Sequence, residues 1–70
     1  MHVLEVEGRV VGRYYDFNHA CCMAVRHVLR RKDDRVTVWR TKNGKRTAIV
    51  YFVYYEDGKL ADCFPEAVVI

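Results

Sequence analysis

Three groups of side chains in this sequence could do chemistry. They are a run of cations interleaved with aromatic rings, a helix-spaced set of histidines and sulfur atoms, and three cysteines. The run of cations is the most extended. From residue 26 to 46 stand Arg26, Arg30, Arg31, Lys32, Arg35, Arg40, Lys42, Lys45 and Arg46 against only Asp33 and Asp34, a net of +7. The rest of the chain holds three cations and seven acids, so the overall charge of +3 hides a directional field. Such a field steers anionic partners. Arg and Lys neutralise phosphates, and exposed rings give unpaired bases a flat surface to stack on. Trp39 lies inside the run, with Phe52 and Tyr54 shortly after it. The chemistry expected is binding of nucleic acid or a nucleoprotein through Arg26, Arg30, Arg31, Arg35, Arg40, Lys42, Lys45 and Arg46. The RNP pattern, the Gly-x-x-Gly clamp and paired Cys/His finger spacing are missing, so this expectation rests on charge and rings alone.

The second group is His19, Met23 and His27 at four-residue spacing, with Cys22 beside them. One side of a helix so built could hold a soft metal. Structural zinc needs four ligands with tighter Cys and His pairing, and the spacing alone matches many ordinary helices. No metal and no other cofactor is assigned. Cys22 or Cys63 would serve as a nucleophile only with a base in reach and a third orienting group, and nothing in the sequence pairs them so. The acids show no paired motif, and Gly8 and Gly12 are too sparse for a phosphate loop. Seventy residues leave little room for a pocket of the usual size. The expectation is a binding protein with no catalytic residue.

An odd count of cysteines with an adjacent pair (Cys21, Cys22 and Cys63) is a poor disulfide framework. In a reducing compartment they serve as small buried hydrophobes. No apolar run reaches the ~18 residues of a membrane span, and the first residues lack the basic and apolar regions of a signal peptide. A cytoplasmic protein without a membrane partner is expected.

The elements that position these groups centre on Ala48-Ile49-Val50-Tyr51-Phe52-Val53-Tyr54-Tyr55, an unbroken apolar run rich in β-branched and aromatic residues. It reads as a strand that wants cover on both faces. Before it, Arg35 to Thr41 reads as a strand, and Asn43-Gly44 between the two is the strongest short hairpin signal. After it, Glu56-Asp57-Gly58-Lys59 makes a second turn and Leu60 to Phe64 a further strand, which Pro65 ends or edges. Residues 67–70 are an apolar tail and a candidate last strand. Residues 3–15 read as extended, either one strand bent at a glycine or, as favoured, a hairpin turning at Glu7-Gly8. Asp16 or Asn18 caps a helix over about 17 to 32, roughly 24 Å long. Its apolar stripe is Phe17, Ala20, Cys21, Ala24, Val25, Val28 and Leu29. The fold class is α+β in one domain, residues 1–70: one helix on an antiparallel sheet of four to five strands, in the order β(β)αβββ.

A two-residue Asn43-Gly44 loop pairs Thr41 with Arg46, Trp39 with Ala48 and Thr37 with Val50. A three-residue loop with a bulge shifts that pairing by one. The two-residue version puts Val36, Val38, Ile49, Tyr51 and Val53 under the helix. It puts Arg35, Thr37, Trp39, Thr41, Arg46, Ala48, Val50, Phe52 and Tyr54 on the other face. One helix covers one face, so Trp39, Val50, Phe52 and Tyr54 need another partner, and a second copy of the same surface is the simplest. A homodimer is expected on that ground. The alternative function is a protein-binding inhibitor or adaptor, of the accessory kind carried by phages and plasmids, acting through the aromatic sheet face or a strand edge.

Overall fold

The computed structural model describes residues 1–65. The elements are β1 (His2–Val6), β2 (Arg9–Tyr14), α1 (Phe17–Arg30), β3 (Val36–Lys42), β4 (Lys45–Glu56) and β5 (Lys59–Cys63). The five strands form one sheet in the order β2-β1-β3-β4-β5, antiparallel throughout. The α+β reading with one helix on this sheet holds. The apolar tail at residues 67–70 lies outside the described residues. Among the described residues, no helix is long and apolar enough to cross a membrane.

Three hairpins close through the same turn chemistry. Glu7-Gly8, Asn43-Gly44 and Asp57-Gly58 each hold two successive residues at positive φ. That backbone matches the right-handed twist of the flanking strands, and a glycine in the second place removes the Cβ penalty there. The stretch from 3 to 15 is thus a hairpin, as favoured, with a register shift that leaves Val11 unpaired between the partners of Leu4 and Glu5.

Asp16 starts the helix, its carboxylate accepting from the His19 backbone N–H at 2.8 Å. The helix ends at Arg30, two residues short of the expected end, because Arg31 leaves helical backbone angles. Its fully buried residues are Ala20, Ala24 and Val28, one turn apart. They meet Leu4, Val36, Val38 and Val53 of the sheet in the core. Two alanines at the contact let the helix lie close, so the stripe is narrower than the periodicity implied. Leu29 is the casualty: expected in the stripe, it is 50% exposed. After the helix, His27 hydrogen-bonds Asp34 at 2.8 Å and ties the connection back.

The β3–β4 pairing departs from the simple register. Thr41 faces Arg46, as a two-residue loop requires. Then the register shifts twice, so that Arg40 faces Ala48, Trp39 faces Ile49, Val38 faces Tyr51, Thr37 faces Phe52 and Val36 faces Val53. Thr47 and Val50 are the extra residues of two β-bulges. The Thr47 hydroxyl donates to the Arg40 carbonyl at 3.1 Å beside the first. Each bulge inverts the alternation and the second undoes the first. Residues 51–55 therefore keep their expected faces, while the local assignment at 48–50 is reversed. Ala48 and Val50 are buried in the core shared with the helix, and Ile49 pairs into the opposite face. Val50 therefore does not belong to the uncovered face assigned to it from the sequence.

All three cysteines are free thiols. Cys21 is half-buried at the edge of the core, whereas Cys22 and Cys63 are exposed rather than buried as the sequence implied.

Candidate nucleic-acid interface

The sheet face turned away from the helix is read off the strand partners, since residues directly opposite in a ladder point the same way. One row runs Arg13, Val3, Trp39, Ile49 across β2, β1, β3 and β4. The next runs Val10, Glu5, Thr37, Phe52, Cys63 across all five strands. Tyr54 with Ala61 stands beyond it, and Thr41 with Arg46 on the other side. Trp39, Ile49, Phe52 and Tyr54 are half-buried on this face, and no described helix packs there.

Guanidinium groups cover two of the rings. The Arg46 guanidinium lies 5.2 Å from the centre of the Trp39 ring and pairs with Glu5, reaching over the indole to do so. The Arg35 guanidinium lies 4.9 Å from the centre of the Tyr54 ring. Phe52 and Tyr54 are 5.3 Å apart between centroids. A cation over an aromatic face is worth about 0.5–1 kcal/mol at an exposed site. Phe52 and Tyr54 follow each other on β4, and Trp39 stands on β3 one row before Phe52.

Where the β3–β4 turn meets β1 and β2, the same face forms a cavity of about 690 Å³. Arg13, Lys42 and Arg46 line it together with the Asn43-Gly44 turn, over a floor that includes Val3 and Val10.

The basic stretch thus divides. Arg35 and Arg46 join the rings on the open face, while Lys42 borders the cavity from the end of β3, its pair with Lys45 turned to the helix side. Arg26, Arg30 and Arg31 sit exposed on the helix or its cap, in the layer behind the sheet. Arg30 and Arg31 instead border a hollow with His27. Arg40 is paired with Ala48 and His2, which puts it on the helix side of β3. Lys45 is exposed opposite Lys42 and lies outside the cavity.

The expected face lacked all its members from β1, β2 and β5, Arg13 among them, and Ile49 of β4. Ile49 was hidden by the bulges. Arg13 was hidden because nothing local says that β1 and β2 dock beside β3; the alternation Val3, Glu5 against Leu4, Val6 is its only trace.

The histidines, Tyr51 and Cys21 are engaged or buried in ways that do not suit other chemistry. His19 packs edge-on against Tyr14 at 4.7 Å between centroids, and His27 is held by Asp34. His2 is buried, its Nδ1 within 3.0 Å of the Tyr15 carbonyl, so in the neutral ring that nitrogen carries the proton and donates. On the helix side the Tyr51 hydroxyl donates to Asp62 at 2.7 Å. Burial first, and then that carboxylate, push the phenol well above its ordinary range. Burial, with Cys22 and Asp62 nearby, also pushes the Cys21 thiol up, the opposite of what an activated nucleophile needs.

Set against protein-family models, curated proteins and solved structures, the chain matches none.

Proposed function

We propose that this is a non-enzymatic, cytoplasmic binding protein that holds single-stranded nucleic acid on its open sheet face. The observation that carries the reading is the placement of Arg35 and Arg46 over Tyr54 and Trp39 on a face against which no described helix packs. A cation and a ring in one spot serve both halves of a nucleotide: the guanidinium meets the phosphate, and the ring or the guanidinium plane takes the base. A flat sheet suits splayed bases better than a duplex, whose bases are already stacked. Trp39, Phe52 and Tyr54 give room for about two or three bases at the strand spacing.

The test is anisotropy of labelled single- and double-stranded DNA and RNA at low salt, with Trp39 fluorescence as a second signal. Single strands bind and quench Trp39, and affinity falls steeply with salt. Trp39→Ala and Phe52→Ala each weaken binding by about 1–3 kcal/mol. Arg35→Ala and Arg46→Ala each reduce the salt slope by about 0.7. Arg26→Ala and Arg30→Ala, on the helix layer, leave affinity nearly unchanged. Absence of binding to every strand at low salt overturns the reading.

A homodimer through the same face is the second reading. The apolar row Val3, Trp39 and Ile49, with Phe52 beside it, favours it. That face, however, also carries Arg13, Arg35 and Arg46, and a second copy would add three like charges to it, which favours an anionic ligand over a second copy. Sedimentation at micromolar concentration separates the two: a dimer that single strands do not dissociate supports self-association. A salt-stable, stoichiometric complex with one protein supports the adaptor alternative instead.

A further inference from the structure

The two guanidinium groups over the rings are not held alike. Arg35 lies over Tyr54 and forms no ion pair among the described residues. Arg46 lies over Trp39 and is tied at its far end to Glu5. The strand partners show the path. Arg46 is opposite Thr41 on β3, Trp39 is the next residue of β3 on that face, and Thr37 the one after. Glu5 of β1 is opposite Thr37. The Arg46 side chain therefore starts one row before Trp39 and reaches an acid one row beyond it, with the indole beneath.

Glu5 is a firm anchor. Its side chain is 11% exposed, against 43% for Arg46. A pair with one partner nearly buried is screened less than a pair at the surface. The ring under the cover also has an idle donor: the Trp39 Nε1–H is buried without a partner among the described residues. A base that stacks on Trp39 needs the face that the guanidinium occupies, and taking it breaks the pair with Glu5. A base on Tyr54 displaces Arg35 with no such pair to break.

We infer that Arg46 and Glu5 form a latch over the Trp39 base site, closed in the free protein and opened when a phosphate of the strand replaces Glu5 on the guanidinium. The inference rests on the reading of the open face as a single-strand platform. It makes occupation of the Trp39 ring conditional on a phosphate beside the base, whereas Tyr54 is open to a base alone.

Glu5→Gln, close in shape and uncharged, removes the anchor and tests the latch in two ways. Without ligand, acrylamide quenches Trp39, the only tryptophan of the chain, more strongly in the variant than in the wild type. With ligand, the probes are one single strand with natural linkages and the same sequence with uncharged methylphosphonate linkages. The uncharged strand binds the variant about fivefold tighter than the wild type, the upper range for an ion pair with an exposed partner. The natural strand gains at least as much. Arg46→Gln, at an exposed position, lifts the cover from its other end and raises the quenching as well. Glu7→Gln, an exposed acid of the first turn, leaves the quenching and the affinity for the uncharged strand as they are. Circular dichroism checks that the variants fold. Unchanged quenching in Glu5→Gln and Arg46→Gln overturns the latch and leaves the platform standing. A gain with the natural strand alone is the loss of a repelling charge and overturns the latch too. Binding of neither strand by any of these proteins overturns both readings.

Discussion

The two faces of the sheet are covered in opposite ways. On the helix side, Leu4, Val36, Val38 and Val53 are almost wholly withdrawn from water against Ala20, Ala24 and Val28. The contact is aliphatic and small, and it excludes water by close approach. On the open side, Trp39, Phe52 and Tyr54 keep part of their surface, and two arginines lie across two of them. The first cover contributes several kcal/mol through buried area. The second contributes about 0.5–1 kcal/mol for each cation and ring. A ligand cannot displace the helix at any ordinary affinity, but it can displace or share a guanidinium. The difference is the energetic ground for proposing the open face, and not the helix side, as the one that binds.

That contrast can be broken. Leu4→Ala empties the covered face and should cost about 2–5 kcal/mol. For a chain of this size that is a large part of the total stability. The midpoint of denaturant unfolding measures it, and a mild loss would mean that the helix side is not the core.

A smaller effect comes at the margin of the covered face. Tyr51→Phe removes a hydrogen bond to a carboxylate and should cost on the order of 1–2 kcal/mol at neutral pH. It also has a signature in alkali. The Tyr51 phenol is raised above the ordinary value of 10.0. Below that pH the phenol is protonated whether folded or not, and its contribution is complete. As pH rises past it, the unfolded chain gives up the proton while the folded chain holds it. Stability therefore falls from about pH 10 upward and is lost through the higher folded value. Absorbance titration of the tyrosines should show a late component that Tyr51→Phe removes. Its persistence in the variant would assign it to another residue.

The smallest effect sharpens the comparison most. Leu29→Ala should change stability by about 0.5 kcal/mol or less, since the side chain is half exposed. Its neighbour in sequence, Val28, is fully buried. Equal losses for Leu29→Ala and Val28→Ala would erase the boundary between helix face and solvent drawn here.

Much of this fold is legible in local chemistry. Asp16 as a cap, and Asn43-Gly44 and Asp57-Gly58 as hairpin turns, follow from side chains and backbone acting within a few residues. What is not legible is what the whole molecule decides. The bulges at Thr47 and Val50 have no glycine or proline to announce them. They put Ala48 and Val50 into the core by inverting a short piece of one strand. Their effects cancel beyond residue 50, so the ring face at Phe52 and Tyr54 is correctly expected although the register leading to it is not. The site suffers in the same way. The cations of the candidate site at Arg35 and Arg46 stand out in the sequence. Yet charge density cannot tell them from Arg26, Arg30 and Arg31, which the fold sends to the helix layer, or from Arg40, which it turns to the helix side of β3. Arg13 enters through pairing between distant strands, and no local rule reaches that far.

That distant pairing also sets the order of assembly. Every neighbouring pair of strands but one is joined by a two-residue turn and can close on itself. The exception is β1 against β3, where His2 meets Arg40 and Glu5 meets Thr37 across the whole of β2 and the helix. Closing a loop of that length costs entropy before any contact repays it. The β1–β2 hairpin and the β3–β4–β5 meander can therefore each close locally, and the seam between them is the closure expected to be slowest. Changes at Val3 or Leu4 are then expected to slow folding itself, and changes in β5 to act mainly on how fast the finished sheet comes apart.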